Sequence, residues 1–211
     1  MSNQSVSISQ ALCLPSANIT ALTIGQMTAI LAPGFLRGLN SQFALCPVDG
    51  NSPQVSATIT HWAKVEGCKP HKDPEKIDAL SLITTWSREQ LTAILQERPH
   101  FFLAYVRVYR LSEPVTVEGD RLPTDPLNDF GTFIRLNQTI AAPLTHPVLD
   151  EQPFNQRHQQ LIKLTPPEHP ELLQLQQQVA QLNSLEAIAF NRDMQEVLGW
   201  NPPPANPFDH P

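Results

Sequence analysis

A nearly continuous apolar run, Phe101–Val108, is the strongest structural signal in the chain. Both faces of the run begin apolar, and the second face opens towards Arg107 and Tyr109. Runs rich in β-branched and aromatic residues are typical of central strands. Proline cannot donate to a strand ladder, so we expect Pro114 to end the pairing. The pattern predicts that this run lies at the centre of a sheet.

Shorter apolar stretches predict the other strands. Val55–Val65 alternates, with Ile59, His61 and Ala63 on the apolar face and Trp62 on the opposite face, which is typical of a half-buried strand. Further strands are predicted over Met27–Leu31, Gln42–Cys46 and Thr132–Leu136. The polar stretch that follows the alternating segment, over residues 67–74, is predicted to be a surface loop.

Capping signals predict short helices between these strands. Ser16 is placed to cap a helix over Ala17–Ile24, and Gly25 is placed to end it in a left-handed conformation. Ser87 and Gln90 have the spacing of a capping box at the start of a second helix.

The last third of the chain differs in composition. Proline recurs among polar residues over 141–170, which predicts an extended arm. Apolar residues at helical spacing predict a helical hairpin over 171–199, and 200–211 forms a Pro-rich tail. The predicted organisation is a β-barrel-like domain over 1–140, followed by the arm, the hairpin and the tail.

Composition narrows the class of protein. A chain of 211 residues holds one domain with an extension, and its net charge of −6 argues against a broad basic surface for nucleic acid. No apolar run approaches the ~20 residues that span a bilayer, and the first ten residues lack the order of a secretory signal. Three scattered cysteines do not make a disulfide framework. We expect a cytoplasmic protein with free thiols and no cofactor.

Three segments of the chain resemble one known family. They are ALTIGQMTAIL from Ala21, SQFALCPVDG from Ser41, and ITTWSREQL followed by FFLAYVRVYRLSEPVTV. In order and spacing they are similar to domain-of-unknown-function family 1802, which is common in cyanobacteria. The resemblance covers Leu12–Leu136 and implies no biochemical activity.

A more remote resemblance concerns the order of the elements. A short helix ending at Gly25, a strand, a turn, two further strands and a last strand closing at Pro114 are similar to the small barrels of the PUA-like and ASCH-like superfamily. That resemblance implies a bent β-barrel that binds RNA or modified nucleotides. The strand that carries a cation in those barrels matches Met27–Leu31, which has no Lys or Arg.

Cations and aromatic rings on two adjacent predicted strands suggest a ligand site. Rings can stack on a base while cations meet phosphates. The candidate ligand-binding residues are Trp62, Lys64, Arg107, Tyr109 and Arg110. A structural role is the alternative, in which Arg107 lies over Tyr105 or Tyr109 or pairs with Glu66, and Trp62 anchors the core.

Metal binding and catalysis have weaker signals. Cys46, His61, Cys68 and His71 are the residue types that hold zinc, but only Cys68 and His71 are closely spaced. We therefore assign no metal ligand. The sequence also lacks a nucleophile elbow, a phosphate-cradling glycine loop and a His-Glu metalloprotease helix, so we expect binding rather than catalysis.

The sequence predicts an α+β protein, namely a small PUA-like bent β-barrel with short helices and a C-terminal helical hairpin. The expected function is recognition of RNA or a nucleotide in a small basic-aromatic cleft. The alternative is a protein-interaction or assembly component that uses the C-terminal helices and tail. Removing residues 201–211 and comparing the bound partners distinguishes the two functions.

Overall fold

The structure is a computed structural model that describes residues 5–32, 34–36, 41–48, 56–118, 122–123 and 130–165, with seven scattered positions between 175 and 193. The elements in these ranges are β1 (Ser5–Pro15), α1 (Ser16–Thr23), β2 (Ala29–Ala32), β3 (Gln42–Val48), β4 (Ser56–His71), α2 (Ile77–Ile83), α3 (Arg88–Glu97), β5 (Phe101–Glu118), β6 (Thr132–Pro143) and α4 (Glu151–Lys163). A 3₁₀ turn, Pro74–Lys76, leads into α2. The α+β class is confirmed.

The six strands form one sheet in the order β2-β5-β4-β3-β1-β6. Neighbouring strands are antiparallel except β1 and β3, which run parallel and are connected through α1 and β2. Within the described ranges, β2 and β6 are the edges and no ladder joins them, so the sheet is open there rather than closed into a barrel. The two longest strands, β4 and β5, lie side by side and carry the candidate ligand-binding residues.

Strand β1 is absent from the elements predicted above. Along its buried half, Ala11 and Cys13 belong to one apolar cluster whereas Leu12 and Leu14 belong to the other. A strand that is covered on both faces shows no apolar-polar alternation. Its pairing with β6 also shifts register between residues 8 and 10, which interrupts the period further.

Strand β4 is longer than its pattern predicts. The surface loop predicted over 67–74 is wrong for residues 67–71, because they pair with β5 from Tyr105 back to Phe101. Most side chains in this stretch are half-buried or exposed, as on a strand with one open face. These residues are therefore polar because one face of the strand is exposed, and not because the segment is a loop.

An irregularity between β4 and β5 changes the predicted faces. The register shifts between Ile59 and His61, so Trp62 joins the same buried cluster as Ile59 although strict alternation places them apart. On β5, residues 111–114 are skipped and pairing resumes at Val115. The predicted stop at Pro114 is therefore wrong, because this proline lies where no ladder bond is required.

The signals for helices are largely confirmed. Helix α1 starts at Ser16 and not after it, with Pro15 in the capping position, and Gly25 follows it with φ 73°. The capping box of α3 has both bonds, since Gln90 N–H donates to Ser87 Oγ at 3.2 Å and Ser87 N–H donates to Gln90 Oε1 at 2.8 Å.

The extended arm predicted over 141–170 is wrong for most of its described residues. Strand β6 continues to Pro143, and α4 follows with Phe154 and Leu161 buried on one face. Pro153 lies in the first turn of α4, where a helix loses no hydrogen bond to proline. Counting this proline as evidence for an extended arm therefore led the prediction away from a helix. The hairpin predicted over 171–199 and the tail over 200–211 lie outside the described residues, apart from the scattered positions.

Apolar side chains form two clusters on opposite faces of the sheet. Along β3, Phe43 and Leu45 belong to the larger cluster, and Ala44 and Cys46 to the smaller one. Buried residues of all four described helices pack into the larger cluster, and Trp62 is the largest residue of the smaller one. The centre of the sheet is thus covered by apolar side chains on both faces.

Candidate functional site

Four of the five candidate residues face one another across the β4–β5 ladder. Trp62 lies opposite Tyr109, and Lys64 lies opposite Arg107. Residues directly opposite on antiparallel strands share a face and are close enough to interact. The two strands are adjacent, as predicted, whereas Arg110 lies opposite His61 on the other face of the sheet, and ligand binding by all five residues stays a prediction.

The aromatic pair packs the core. The Trp62 ring stacks on the Tyr109 ring with centroids 4.5 Å apart and an interplanar angle of 14°. Trp62 is fully buried and Tyr109 is 6% exposed. Burial raises the pKa of Tyr109. One face of the Trp62 ring stacks on Tyr109, and the whole side chain is buried in the smaller apolar cluster. Trp62 therefore acts as a core anchor in this conformation and has no open face for a base.

Arg107 contacts two side chains of α4. Its Nη1 donates a 2.6 Å hydrogen bond to Glu151 Oε2, and its guanidinium carbon lies 4.9 Å from the centre of the Phe154 ring. The Arg107 side chain is 18% exposed and that of Glu151 is 70% exposed. Hydrogen bonds from Arg107 and then Asn155 lower the pKa of Glu151. Arg107 Nε is buried and has no hydrogen-bond partner among the described residues.

The other two cations are arranged differently. Lys64 Nζ lies 3.0 Å from Glu66 Oε1, so Glu66 pairs with Lys64, and Arg107 instead lies 5.9 Å from the Tyr109 ring. Arg110 is half-buried opposite His61, and its backbone N–H donates to the His146 carbonyl at 2.8 Å. The three cations therefore lie on two adjacent strands, and their side chains differ in exposure to solvent.

A small cleft opens beside Arg107, between the end of α1, the β2–β5 pair and the segment that leads into α4. It holds about 200 Å³ of empty space, including the part that is open to solvent. Its lining is mostly apolar, with polar side chains from Thr28 and Arg107. Thr28 is 5% exposed, and its buried Oγ1 has no hydrogen-bond partner in the described part of the chain.

A family model described as a domain of unknown function, DUF1802, matches residues 44–160, which is more than half of the chain. The chain belongs to the DUF1802 family. Neither a curated protein nor a solved structure matches the chain. Among the helices that the structure describes, none has the length and apolar character needed to cross a membrane.

The DUF1802 match spans both partners of the Arg107–Glu151 pair. Glu151 and Phe154 are functional candidates that the sequence did not predict, because they lie in the stretch predicted to be an arm. A usable signal was present: an acidic helix start at Asp150 and Glu151, then Phe154 and Leu161 seven residues apart. The contact with Arg107, however, joins positions 44 residues apart.

The cysteines and histidines that the structure describes in this DUF1802 chain do not gather into a metal-binding group. In the described ranges no three His, Cys, Asp or Glu residues are close enough to hold an ion. Cys46 lies opposite Cys13 between β3 and β1, whereas Cys68 and His71 lie near the far end of β4. The His71 ring stacks on Phe101 at 5.7 Å. All three cysteines are free thiols.

Proposed function

We propose that this protein is a binding module that recognises a phosphate group of a nucleotide or of RNA at Arg107. The observation that carries the proposal is the state of this guanidinium. Its Nε is buried and lacks a partner among the described residues, and its Nη1 is bound to a carboxylate that is 70% exposed. Ion pairs with exposed partners contribute less than about 1 kcal/mol, so a phosphate that engages several N–H groups can replace Glu151.

The size of the cleft indicates which part of the ligand enters it. Its enclosed part is much smaller than the sites of roughly 300–1,000 Å³ that enclose a whole small molecule, because the 200 Å³ includes space that is open to solvent. A phosphate therefore has to bind at the open mouth of the cleft, in place of the Glu151 carboxylate. Since Trp62 is buried, base stacking on this ring is not part of the proposal.

Local charge supports a short contact with the nucleic-acid backbone. Lys64 lies directly across the ladder from Arg107 and shares its face, whereas Arg110, three residues further along β5, points to the other face of the sheet. The chain as a whole carries a net charge of −6, so attraction to a polyanion must come from this local group. We expect weak, salt-sensitive binding that involves one or two phosphates.

We further propose that the sheet is an open variant of the PUA-like and ASCH-like fold, in which β2 and β6 do not pair within the described ranges, and that the protein is cytoplasmic. The order of α1, the left-handed Gly25, β2, β3 and β4 supports the first point. Three free cysteines support the second, because thiols persist in a reducing compartment. The alternative role in protein interaction depends on residues 171–211, which lie largely outside the described ranges, and stays a prediction.

Titration of single-stranded RNA of mixed sequence at low salt, followed by fluorescence anisotropy, tests the proposed function. We expect Arg107→Ala to weaken binding about tenfold, because hydrogen bonds to charged groups are among the stronger ones. The slope of log K against log salt should become shallower by about 0.7 with the loss of one phosphate contact.

The matched control is Arg135→Ala, which removes an exposed arginine from β6. It should leave the affinity close to that of the wild type. The proposal is wrong if the wild-type protein binds no RNA at low salt, or if Arg107→Ala and Arg135→Ala weaken binding equally.

A further inference from the structure

Two residues that line the cleft each carry an unsatisfied donor. The Thr28 hydroxyl oxygen and Arg107 Nε are both buried without a hydrogen-bond partner in the described part of the chain, and both residues contribute to the lining. Buried polar groups in folded proteins are nearly always satisfied, so these two atoms call for a partner from outside the chain, either a water molecule or a bound anion. A hydroxyl and a guanidinium in otherwise apolar surroundings suit an acceptor that carries negative charge.

We infer that Arg107 and Thr28 form a subsite for one small oxyanion, a phosphate or carboxylate group of the ligand, and that the Glu151 carboxylate competes with this anion for Arg107. The inference rests on the proposed function. It adds Thr28 as a second protein group that holds the anion, and it treats the displacement of Glu151 as a competition that can be measured.

Glu151 is placed to compete without disturbing the fold. Its carboxylate is itself an oxyanion on the Arg107 guanidinium, and its side chain is 70% exposed, so it can rotate into solvent while α4 stays docked. The helix is held independently of this pair, because Phe154 and Leu161 are buried and Arg157 Nη1 donates to the Gln26 carbonyl at 2.8 Å. Removing the Glu151 charge should therefore open the subsite and leave α4 in place.

Isothermal titration of the full chain with adenosine monophosphate, inorganic phosphate and adenosine tests the competition. We expect Glu151→Gln to bind adenosine monophosphate about twofold to fivefold more tightly than the wild type, which is the range for an exposed ion pair. Adenosine should not respond to the substitution. Inorganic phosphate shows whether the anion alone suffices or whether the rest of the nucleotide is needed. The control is Asp150→Asn, which removes one negative charge at the position next to Glu151. The Asp150 side chain makes no capping bond, so this variant should match the wild type.

The Thr28 hydroxyl is tested by Thr28→Val and Thr28→Ser in the same titration. We expect Thr28→Val to weaken binding of adenosine monophosphate about fivefold, as for the loss of one hydrogen bond, and Thr28→Ser to retain it. Thr58→Val, at an exposed threonine on β4, is the matched control and should leave the affinity unchanged. Thermal melting confirms that each variant is folded.

The outcomes distinguish the inference from the proposed function. If RNA binding depends on Arg107 but Glu151→Gln and Thr28→Val leave the affinity for adenosine monophosphate unchanged, the oxyanion subsite is wrong and the proposed function stands. If neither the wild type nor Glu151→Gln binds RNA, adenosine monophosphate or phosphate, both are wrong. Tighter binding by Glu151→Gln with weaker binding by Thr28→Val supports both.

Discussion

At the scale of single residues, His61 shows how burial sets the charge of a side chain. Burial, followed by the nearby Arg110, lowers the pKa of His61 to about 4. Its Nδ1 lies 2.8 Å from Thr60 Oγ1, and its buried Nε2 has no hydrogen-bond partner among the described residues. The ring is therefore neutral at neutral pH, and protonating it destabilises the folded state.

His61 should make the stability of the protein depend on pH. An unfolded histidine takes up its proton near pH 6.5, whereas folded His61 does so near pH 4, so the free energy of unfolding falls as the pH drops from about 6.5 to 4. His61 lowers the free energy of unfolding by roughly 3 kcal/mol across this window, and this loss does not grow below pH 4. His61→Gln should remove this part of the pH dependence in urea unfolding at pH 7 and pH 4.5. The exposed His146 provides the control, and His146→Gln should follow the wild-type curve.

At the scale of elements, the turn between α1 and β2 joins the helix to the wall of the cleft. Gly25 has φ 73°, and a Cβ there would lie 2.5 Å from Leu149 Cδ2. Leu149 belongs to the segment that leads into α4 and lines the cleft. Glycine is therefore required for both the backbone conformation and the close packing of that segment.

Gly25→Ala should destabilise the protein by roughly 2–4 kcal/mol, from the left-handed conformation and the steric overlap together. Gly34→Ala is the control, because Gly34 lacks a positive φ and a Cβ at this position would meet no described atom within 4 Å. It should change stability by less than about 0.5 kcal/mol. Urea unfolding of both variants measures the difference, and equal stabilities would contradict the role assigned to the turn.

The elements also show what local patterns can predict. The capping box at Ser87 and the glycine after α1 are signals within one turn of chain, and both predictions are confirmed. Strand β1 and helix α4 are missing from the prediction because their character depends on neighbours: β1 is covered on both faces, and α4 is defined by docking against β5 and the end of α1. Tertiary packing decides such elements, and single-sequence patterns do not report it.

At the scale of the whole molecule, the candidate site combines a predictable part with an unpredictable part. Local alternation predicts that Trp62 shares a face with Lys64 and that Arg107 shares a face with Tyr109, whereas the pairing of β4 with β5 and its register follow from the assembled sheet. The approach of Glu151 follows from how α4 returns to the sheet, over a separation of 44 residues. The cleft itself, with Thr28 on one wall, exists only in the assembled fold.

The most direct test of the central claim, that Arg107 is the group that receives the phosphate, is the Nε–Hε signal of this arginine in a ¹H–¹⁵N spectrum. Its absence from the spectrum of Arg107→Lys assigns the signal. The account predicts that the Arg107 signal moves on addition of RNA, as its buried Nε–H gains an acceptor, while the signal of the exposed Arg135 stays in place. A stationary Arg107 signal under conditions in which RNA is bound would contradict the account.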